Sequence, residues 1–190
     1  IADSIIEEYD KAYALNVVGT EEIVDASELI MIYNATVKKY DEKVLRSKIS
    51  IASQKAVLFK GSIKSNIVFG EKVEDEDKIN KVLEISNSKF IKELENGVNS
   101  EVAQGGTNFS GGQRQRLTIA RALVGNPHII ILDDASSALD FATDAKLRKS
   151  IRLSLADTTT FIVTQRTNSI RDANKIIVIN NGEIIDIGTH

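Results

Sequence analysis

The stretch SGGQRQRLTIARALVGNPHIIILDDASSALD, Ser110–Asp140, decides the fold class of this 190-residue chain. A serine and two glycines open a helical pattern, and Gly125 and Pro127 close it. A short apolar run follows and ends in two adjacent carboxylates, Asp133 and Asp134. Helices that alternate with short, wholly apolar strands predict an α/β fold with a mostly parallel sheet and helices on both faces.

Both ends of this stretch indicate contact with a phosphate-bearing ligand. At the start, two glycines allow a ligand to approach the backbone, and a helix N-terminus offers free N–H groups to an anion. The Ser110 hydroxyl and Gln113 add further donors. At the end, Asp133 follows a predicted strand at the sheet edge where α/β proteins bind ligands, and one or two carboxylates suit Mg²⁺. Taken singly, the first feature has an ordinary helix cap as its less favoured alternative, and the second is weak evidence because an aspartate often caps a turn after a buried strand.

Composition excludes several classes of protein. The chain has no Cys, so disulfides, thiolate metal sites and a Cys nucleophile are ruled out, in keeping with a reducing compartment. Lys and Arg number 24 against 27 Asp and Glu, and the lack of a long basic block argues against nucleic-acid binding. The longest apolar runs are far below the roughly 20 residues of a membrane span. The chain begins at Ile1 without Met and stops at His190, so we expect a fragment.

Periodicity predicts the remaining elements. Helical spacing is present at residues 3–15, 74–95 (as one helix or two), 142–155 and 167–173. Strand patterns are present at residues 28–33, before Gln54, at 128–133 and at 159–164. The turn NNG, residues 180–182, predicts a hairpin between the two apolar runs that flank it.

Five segments together carry a family resemblance: LRSKISIASQKAVLFKGSIKSNIVFG, SEVAQGGTNFSGGQRQRLTIARAL, IIILDDASSALD, FIVTQRTNSI and KIIVINNGEIIDIGTH. From about Ala35 onward the chain resembles the nucleotide-binding domain of exporter-type ATP-binding-cassette (ABC) transporters. The resemblance implies a P-loop NTPase-like fold over residues 35–190, truncated at the C-terminus, with a helical subdomain at about 62–125. Residues 1–34 would form a divergent N-terminal segment.

The resemblance also implies roles for individual residues. Mg²⁺ would be contacted by the Q-loop residue Gln54 and the Walker B residue Asp133. The family's signature motif, which binds the γ-phosphate of ATP held by the opposite subunit, corresponds to Ser110, Gly111, Gly112 and Gln113 (the signature segment). The D-loop, which runs along the dimer interface, corresponds to Ser137, Ala138, Leu139 and Asp140.

Two catalytic positions depart from the family pattern. Asp134 stands where the family has the Glu that positions or activates the attacking water. Asp is one methylene shorter, and loss of a general base typically costs about 10²–10⁴ in rate; the alternative is that Asp134 still serves at reduced efficiency. Gln165 stands at the switch position, where the family usually has His, and a neutral amide cannot supply an imidazole's charge.

The third departure is the largest. No G-x-x-x-x-G-K-[ST] loop, the family's Walker A motif, is present anywhere in the sequence. The backbone N–H groups of that loop cradle the phosphates and its Lys neutralises them. Val17, Val18 and Gly19 resemble only the preceding strand and the first glycine. Tyr9 and Tyr13 are the candidates for contact with an adenine ring.

These features predict an exporter-type cassette domain at the cytoplasmic face of the cell membrane, with ATP and Mg²⁺ as cofactors. Its partners would be an exporter's transmembrane domain and a second nucleotide-binding domain in a head-to-tail heterodimer, in which this chain is the degenerate half. One alternative is a docking module on a membrane domain that binds no nucleotide. Another is a soluble cassette protein of DNA repair or chromosome structure, which the absence of long flanking coiled coils argues against.

Overall fold

The computed structural model of the chain describes residues 13–18, 42–71 and 73–190. The α-helices in these ranges are α1 (Glu42–Arg46), α2 (Ile63–Ile67), α3 (Glu76–Ile85), α4 (Gly111–Val124) and α5 (Phe141–Ser154). The strands are β1 (Tyr13–Val18), β2 (Ile49–Ala52), β3 (Gly61–Ser62), β4 (Glu101–Val102), β5 (Ile129–Asp133), β6 (Thr159–Thr164), β7 (Ile176–Asn180) and β8 (Glu183–Gly188). Short 3-10 helices lie at Lys89–Glu93, Gly97–Asn99, Gln104–Gly106 and Thr167–Ser169.

Six strands form one sheet in the order β2-β5-β6-β1-β7-β8, and β3 pairs with β4 separately. The predicted α/β class with a parallel sheet is confirmed in β2, β5 and β6, which run parallel to one another. The other pairings, β1 with β6, β1 with β7 and β7 with β8, are antiparallel, so the sheet formed by the described strands is mixed. For β7 and β8 the reason is local, because Asn181 and Gly182 both have positive φ and close the predicted two-residue hairpin.

Most predicted elements are found close to their expected bounds. The strand at 159–164 is confirmed as β6, and the helix expected at 142–155 is α5. The helical region at 74–95 divides into α3 and a 3-10 helix, because Asn87 between them has a φ of 59°. The helix expected at 167–173 is reduced to one 3-10 turn.

The helical assignment was wrong where it reached Tyr13. That residue begins β1, which pairs with β6 on one side and β7 on the other, so tertiary pairing overrides the local spacing. The strand expected at 28–33, the rest of the helix expected at 3–15, Tyr9 and Gly19 lie outside the described residues.

The core centres on α4, which packs against β2, β5, α2 and α3. Leu117, Ile119, Ala120 and Val124 of this helix are almost wholly inaccessible to solvent. No helix in the described part of the chain is long and apolar enough to cross a membrane.

The two faces of the parallel strands are covered unequally. Ile130 and Leu132 of β5 lie on one face of the sheet and are buried, whereas Ile51 of β2 lies on the other face and is 58% exposed. Ile51 lies in register with Ile131 and, through it, with Phe161, and both of these are half-buried. Within the described residues, the expected cover of helices is therefore complete on one face only.

Candidate functional site

The signature segment lies at the start of α4 and is held by a reciprocal hydrogen-bonded cap. The backbone N–H of Gln113 donates to Ser110 Oγ at 3.2 Å, and the backbone N–H of Ser110 donates to Gln113 Oε1 at 2.8 Å. This is the capping-box arrangement, which fixes both side chains. The N–H groups of Gly111 and Gly112 remain available to a ligand, because the first turn of a helix has no internal acceptors for its backbone N–H groups. The Ser110 hydroxyl proton and the Gln113 side-chain amide also remain available, because the cap uses only the oxygen of each side chain. The cap is exposed at Ser110.

The D-loop packs directly on the signature segment. An ideal Cβ at Gly112 would stand 3.3 Å from the Ala138 carbonyl oxygen, and one at Gly111 would stand 3.9 Å from Ala138 Cβ. Leu139 is buried beside them, whereas Ala138 faces solvent. The structure therefore brings together two groups of residues that the sequence predicted separately.

Asp140 ends the D-loop and caps α5. Its carboxylate accepts the Thr143 backbone N–H at 2.9 Å and the Thr143 hydroxyl at 2.7 Å. These hydrogen bonds, the backbone one first, lower the pKa of Asp140 because they favour the ionised form. The carboxylate is thereby committed to positioning α5.

The carboxyl ends of β5 and β6 place Asp133, Asp134 and Gln165 at one sheet edge, since Asp133 lies in register with Val163 and Gln165 directly follows β6. Asp134 donates its backbone N–H to Val163 O at 2.8 Å. It adopts the left-handed conformation, with a φ of 44°, which Asp tolerates better than most residues.

Gln54 reaches this edge from the loop after β2. Its side-chain amide donates to Asp134 Oδ2 at 2.9 Å across 80 residues of sequence. The Gln54 amide nitrogen is therefore bonded to Asp134, and the Gln54 side-chain oxygen is the atom left for a metal. The exposed Asp133 carboxylate is the second available oxygen ligand. These two groups suit Mg²⁺, which completes its shell with water and phosphate oxygens; no cluster of three or more His, Cys, Asp or Glu able to hold a metal is found in the described ranges.

The signature segment is separate from the residues at the carboxyl end of β5. Among the described residues, no hydrogen bond joins the signature segment to Gln54, Asp133 or Asp134. The arrangement has two chemical capacities: a cation site at the end of β5, and a set of phosphate donors at the start of α4.

Sequence reasoning missed Gln115 and Arg166. The Gln115 side chain is wholly buried and donates to Ser53 O at 3.1 Å, which fixes the residue before Gln54. The Arg166 guanidinium donates to three backbone carbonyls between Ser136 and Leu139. Both residues lie inside segments that carry the family resemblance, but their partners are far away in sequence and are found only from the structure.

An exposed aromatic pair, Phe59 and Phe69, was also missed. The rings stack with centroids 4.6 Å apart, and they are 42% and 57% exposed. The Arg121 guanidinium lies 5.3 Å from the Phe59 ring and 5.9 Å from the Phe69 ring, and donates to the carbonyls of Val57 and Asn66. Burial lowers the pKa of Arg121, but guanidinium remains charged at neutral pH.

Comparison with known proteins identifies the family of this chain from its sequence. The family model described as ABC transporter matches residues 14–137. Among curated relatives, ABC transporter B family member 21 of Arabidopsis thaliana is 38% identical over 162 residues, which cover 85% of this chain and 12% of that protein. A putative multidrug export ATP-binding/permease protein of Staphylococcus aureus is 38% identical, and an ATP-dependent lipid A-core flippase of Desulfotalea psychrophila is 35% identical; the matches cover 85% of this chain and 28% of each relative.

A solved structure of a bacterial Atm1-family ABC exporter with ATP bound has a similar fold. Its TM-score is 0.74 at 23% identity, over 94% of this chain and 39% of that one. The chain thus spans well under half the length of these relatives and of this structural neighbour. The chain belongs to the ABC transporter family, as a nucleotide-binding domain of the exporter type.

Proposed function

We propose that this chain couples ATP binding and hydrolysis to transmembrane export as the degenerate half of a heterodimer. In this role it supplies its signature segment to the γ-phosphate of ATP that a second nucleotide-binding domain holds through its own glycine-lysine loop. The pair acts at the cytoplasmic face of the cell membrane with ATP and Mg²⁺.

The reciprocal cap between Ser110 and Gln113 is the observation that carries this proposal. It leaves oriented donors at the positive end of a 14-residue helix, where a phosphate is favoured. This chain has no glycine-lysine loop to bring a nucleotide of its own. The ligand that these donors fit is therefore a phosphate delivered by another chain.

The other end of the site supports the degenerate role. Asp134 replaces a longer Glu, and its carboxylate accepts a hydrogen bond from Gln54. Gln165 offers an amide in place of an imidazole. An attacking water would therefore have a short, already engaged base, and we propose that hydrolysis takes place at the partner's own catalytic residues.

The test is ATP turnover of the assembled pair with Ser110→Arg. The bulky side chain would occupy the γ-phosphate position and block closure, so turnover should fall at least about 10²-fold, because oriented donors at developing phosphate charge are worth several kcal/mol. The partner's nucleotide affinity in the open state should be nearly unchanged, because its own loop provides that binding. Equal turnover with and without the substitution would refute the role in trans.

Ser62 provides a matched control. It also caps a helix through a reciprocal box, with Ser65, and lies outside the proposed phosphate site. Ser62→Ala and Ser110→Ala each remove a cap of about 1 kcal/mol. Only Ser110→Ala should reduce turnover by more than the loss of stability explains.

A second candidate is a docking module that contacts an exporter's transmembrane domain and handles no nucleotide. The exposed aromatic pair favours it, since Phe59 and Phe69 form a rigid apolar contact beside Arg121. Under this alternative, Phe69→Ala should weaken assembly with the transmembrane domain, while Ser110→Arg should change nothing. Under the first proposal both changes reduce transport.

A further inference from the structure

The Arg166 side chain joins two parts of the site that are far apart in sequence. Its Nη1 donates to Ser136 O at 3.2 Å and to Leu139 O at 3.1 Å, and its Nη2 donates to Ser137 O at 2.8 Å. Three carbonyls that face one guanidinium need its flat, forked set of N–H donors, which the single ammonium of Lys cannot reproduce.

The two sides of this contact are held independently. The Arg166 backbone N–H donates to Thr164 Oγ1 at 3.1 Å, and its carbonyl accepts the Ser169 N–H at 2.9 Å, so its main chain is fixed at the end of β6. The Phe141 ring covers the guanidinium at 5.5 Å, although Phe141 is itself 72% exposed. This cation–π contact adds a second restraint on the position of the guanidinium.

Arg166 directly follows the switch residue Gln165, and the D-loop that it holds packs on the signature segment through Ala138 and Gly112. One continuous set of contacts therefore runs from Gln165 through Arg166 and the D-loop to the phosphate donors at the start of α4. A shift of the backbone at Gln165 would be passed to the adjacent Arg166, and through its guanidinium to the carbonyls of Ser136 and of two D-loop residues, Ser137 and Leu139.

We infer that Arg166 is a positioning residue that couples the switch position of this chain to the signature surface that it offers to the partner's ATP. This inference rests on the proposed function, which identifies the partner as a second nucleotide-binding domain and the ligand as the ATP that it holds. A purely structural arginine would stabilise the D-loop but would transmit nothing between Gln165 and Gly112.

The first measurement is hydrogen exchange on the assembled transporter that contains this chain. Arg166→Gln should speed exchange at residues 136–140 by about tenfold, with α5 and β6 unchanged, since local opening has its own free energy. Arg171→Gln is the matched control, because Arg171 is exposed on the same segment and lies outside the D-loop contact. Arg166→Lys should behave as Arg166→Gln; full rescue by Lys would show that charge alone suffices and would overturn the inference.

The second measurement is a double-mutant cycle on ATP turnover of the pair, with Gln165→Ala and Gly112→Ala. With Arg166 present, the two effects should be coupled by about fivefold, because Gln165 and Gly112 are then joined by one network of contacts. With Arg166→Gln the network is broken, and the two effects should combine independently to within about twofold. Phe141→Ala leaves all the hydrogen bonds of Arg166 in place, so the coupling should be intermediate between the wild-type and Arg166→Gln values. This variant replaces Arg166→Gln in the experiment if Arg166→Gln fails to assemble.

Each outcome decides the inference. Loosening confined to residues 136–140 with loss of coupling supports it. Unchanged exchange, exchange raised throughout the domain, or coupling that persists without Arg166 overturns it. If Ser110→Arg and Gly112→Ala both leave turnover unaltered, the proposed function fails instead, and the exchange experiment alone still decides whether Arg166 holds the D-loop.

Discussion

The start of α4 and the carboxyl end of β5 lie in one continuous stretch of sequence, yet they differ in how closely they match the family pattern. At the start of α4, Ser110, both glycines and Gln113 are present, and the cap leaves their donors free. At the end of β5, the Asp134 carboxylate is bonded to Gln54, and no glycine-lysine loop accompanies it in the sequence. Under the proposed function, the chain keeps the groups that act on a ligand held by the partner and departs from the family pattern in those that would act on a ligand of its own.

The largest expected effect concerns nucleotide binding by the chain alone. Without the glycine-lysine loop, at least three charge-assisted hydrogen bonds of about 1.5–3 kcal/mol each are missing, so MgATP should bind about 10³-fold or more weakly than to an intact cassette domain. Isothermal titration should detect no micromolar binding, with the partner domain as control. A micromolar dissociation constant would show that residues 14–27 form a phosphate cradle, and would remove the contrast between the two ends.

The next effect concerns the end of β5. Asp134→Glu alone should restore no measurable ATPase activity to the isolated chain, because the missing cradle outweighs the missing base. It should also lower the free energy of unfolding by about 1 kcal/mol, since the φ of 44° suits Asp and Asn better than Glu. Asp134→Asn is the control that keeps both the backbone conformation and a hydrogen-bond acceptor for Gln54. Steady-state phosphate release by the Glu variant would mean that the base, not the cradle, is limiting.

A smaller effect should separate the two glycines at the start of α4. Gly111→Ala meets only an ordinary contact, whereas Gly112→Ala places a methyl group 3.3 Å from the Ala138 carbonyl oxygen. Ala stabilises a helix relative to Gly, but crowding at Gly112 should cancel that gain, so the free energies of unfolding should differ by about 0.5–1 kcal/mol in favour of Gly111→Ala. Thermal unfolding of both variants measures this difference. Equal stabilities would show that the D-loop is not packed firmly on the signature segment.

The smallest effect is a pH dependence at Asp140, the last residue of the D-loop and the N-cap of α5. Its pKa is lowered in the folded state, so its cap stabilises α5 above the unfolded pKa of about 3.9 and is lost as pH falls through the lower folded value. Wild-type stability should therefore fall relative to Asp140→Asn as pH drops below about 4, because Asn does not titrate. Urea unfolding over a pH series measures the trend. Thr143→Val removes the 2.7 Å hydroxyl hydrogen bond and should reduce this pH dependence. Parallel stability curves for wild type and Asp140→Asn would contradict the assignment of the pH dependence to Asp140.

Sequence alone determined the features that depend on local pattern or on residue identity. The caps at Ser110 and Gly125 bounded α4, a short apolar run located β6, and residues 180–182 predicted the hairpin. The presence of Asp133, Asp134 and Gln165 and the absence of a glycine-lysine loop are likewise facts of the sequence. Five longer segments carried the family resemblance, whereas Asp134, Gln165 and the missing loop are the basis of the proposed degenerate role. These predictions succeed because caps, turns and short apolar runs involve neighbours within a few residues.

Only the tertiary structure decided which distant groups meet. The antiparallel insertion of β1 between β6 and β7, the hydrogen bond from Gln54 to Asp134 and the hold of Arg166 on the D-loop join segments that are tens of residues apart. No local pattern encodes such pairings, because each depends on where the packed sheet and α4 bring the backbone. The sequence supplied the chemical groups of the site, and the fold determined that the Gln54 amide is engaged by Asp134 while the donors at Ser110 remain free.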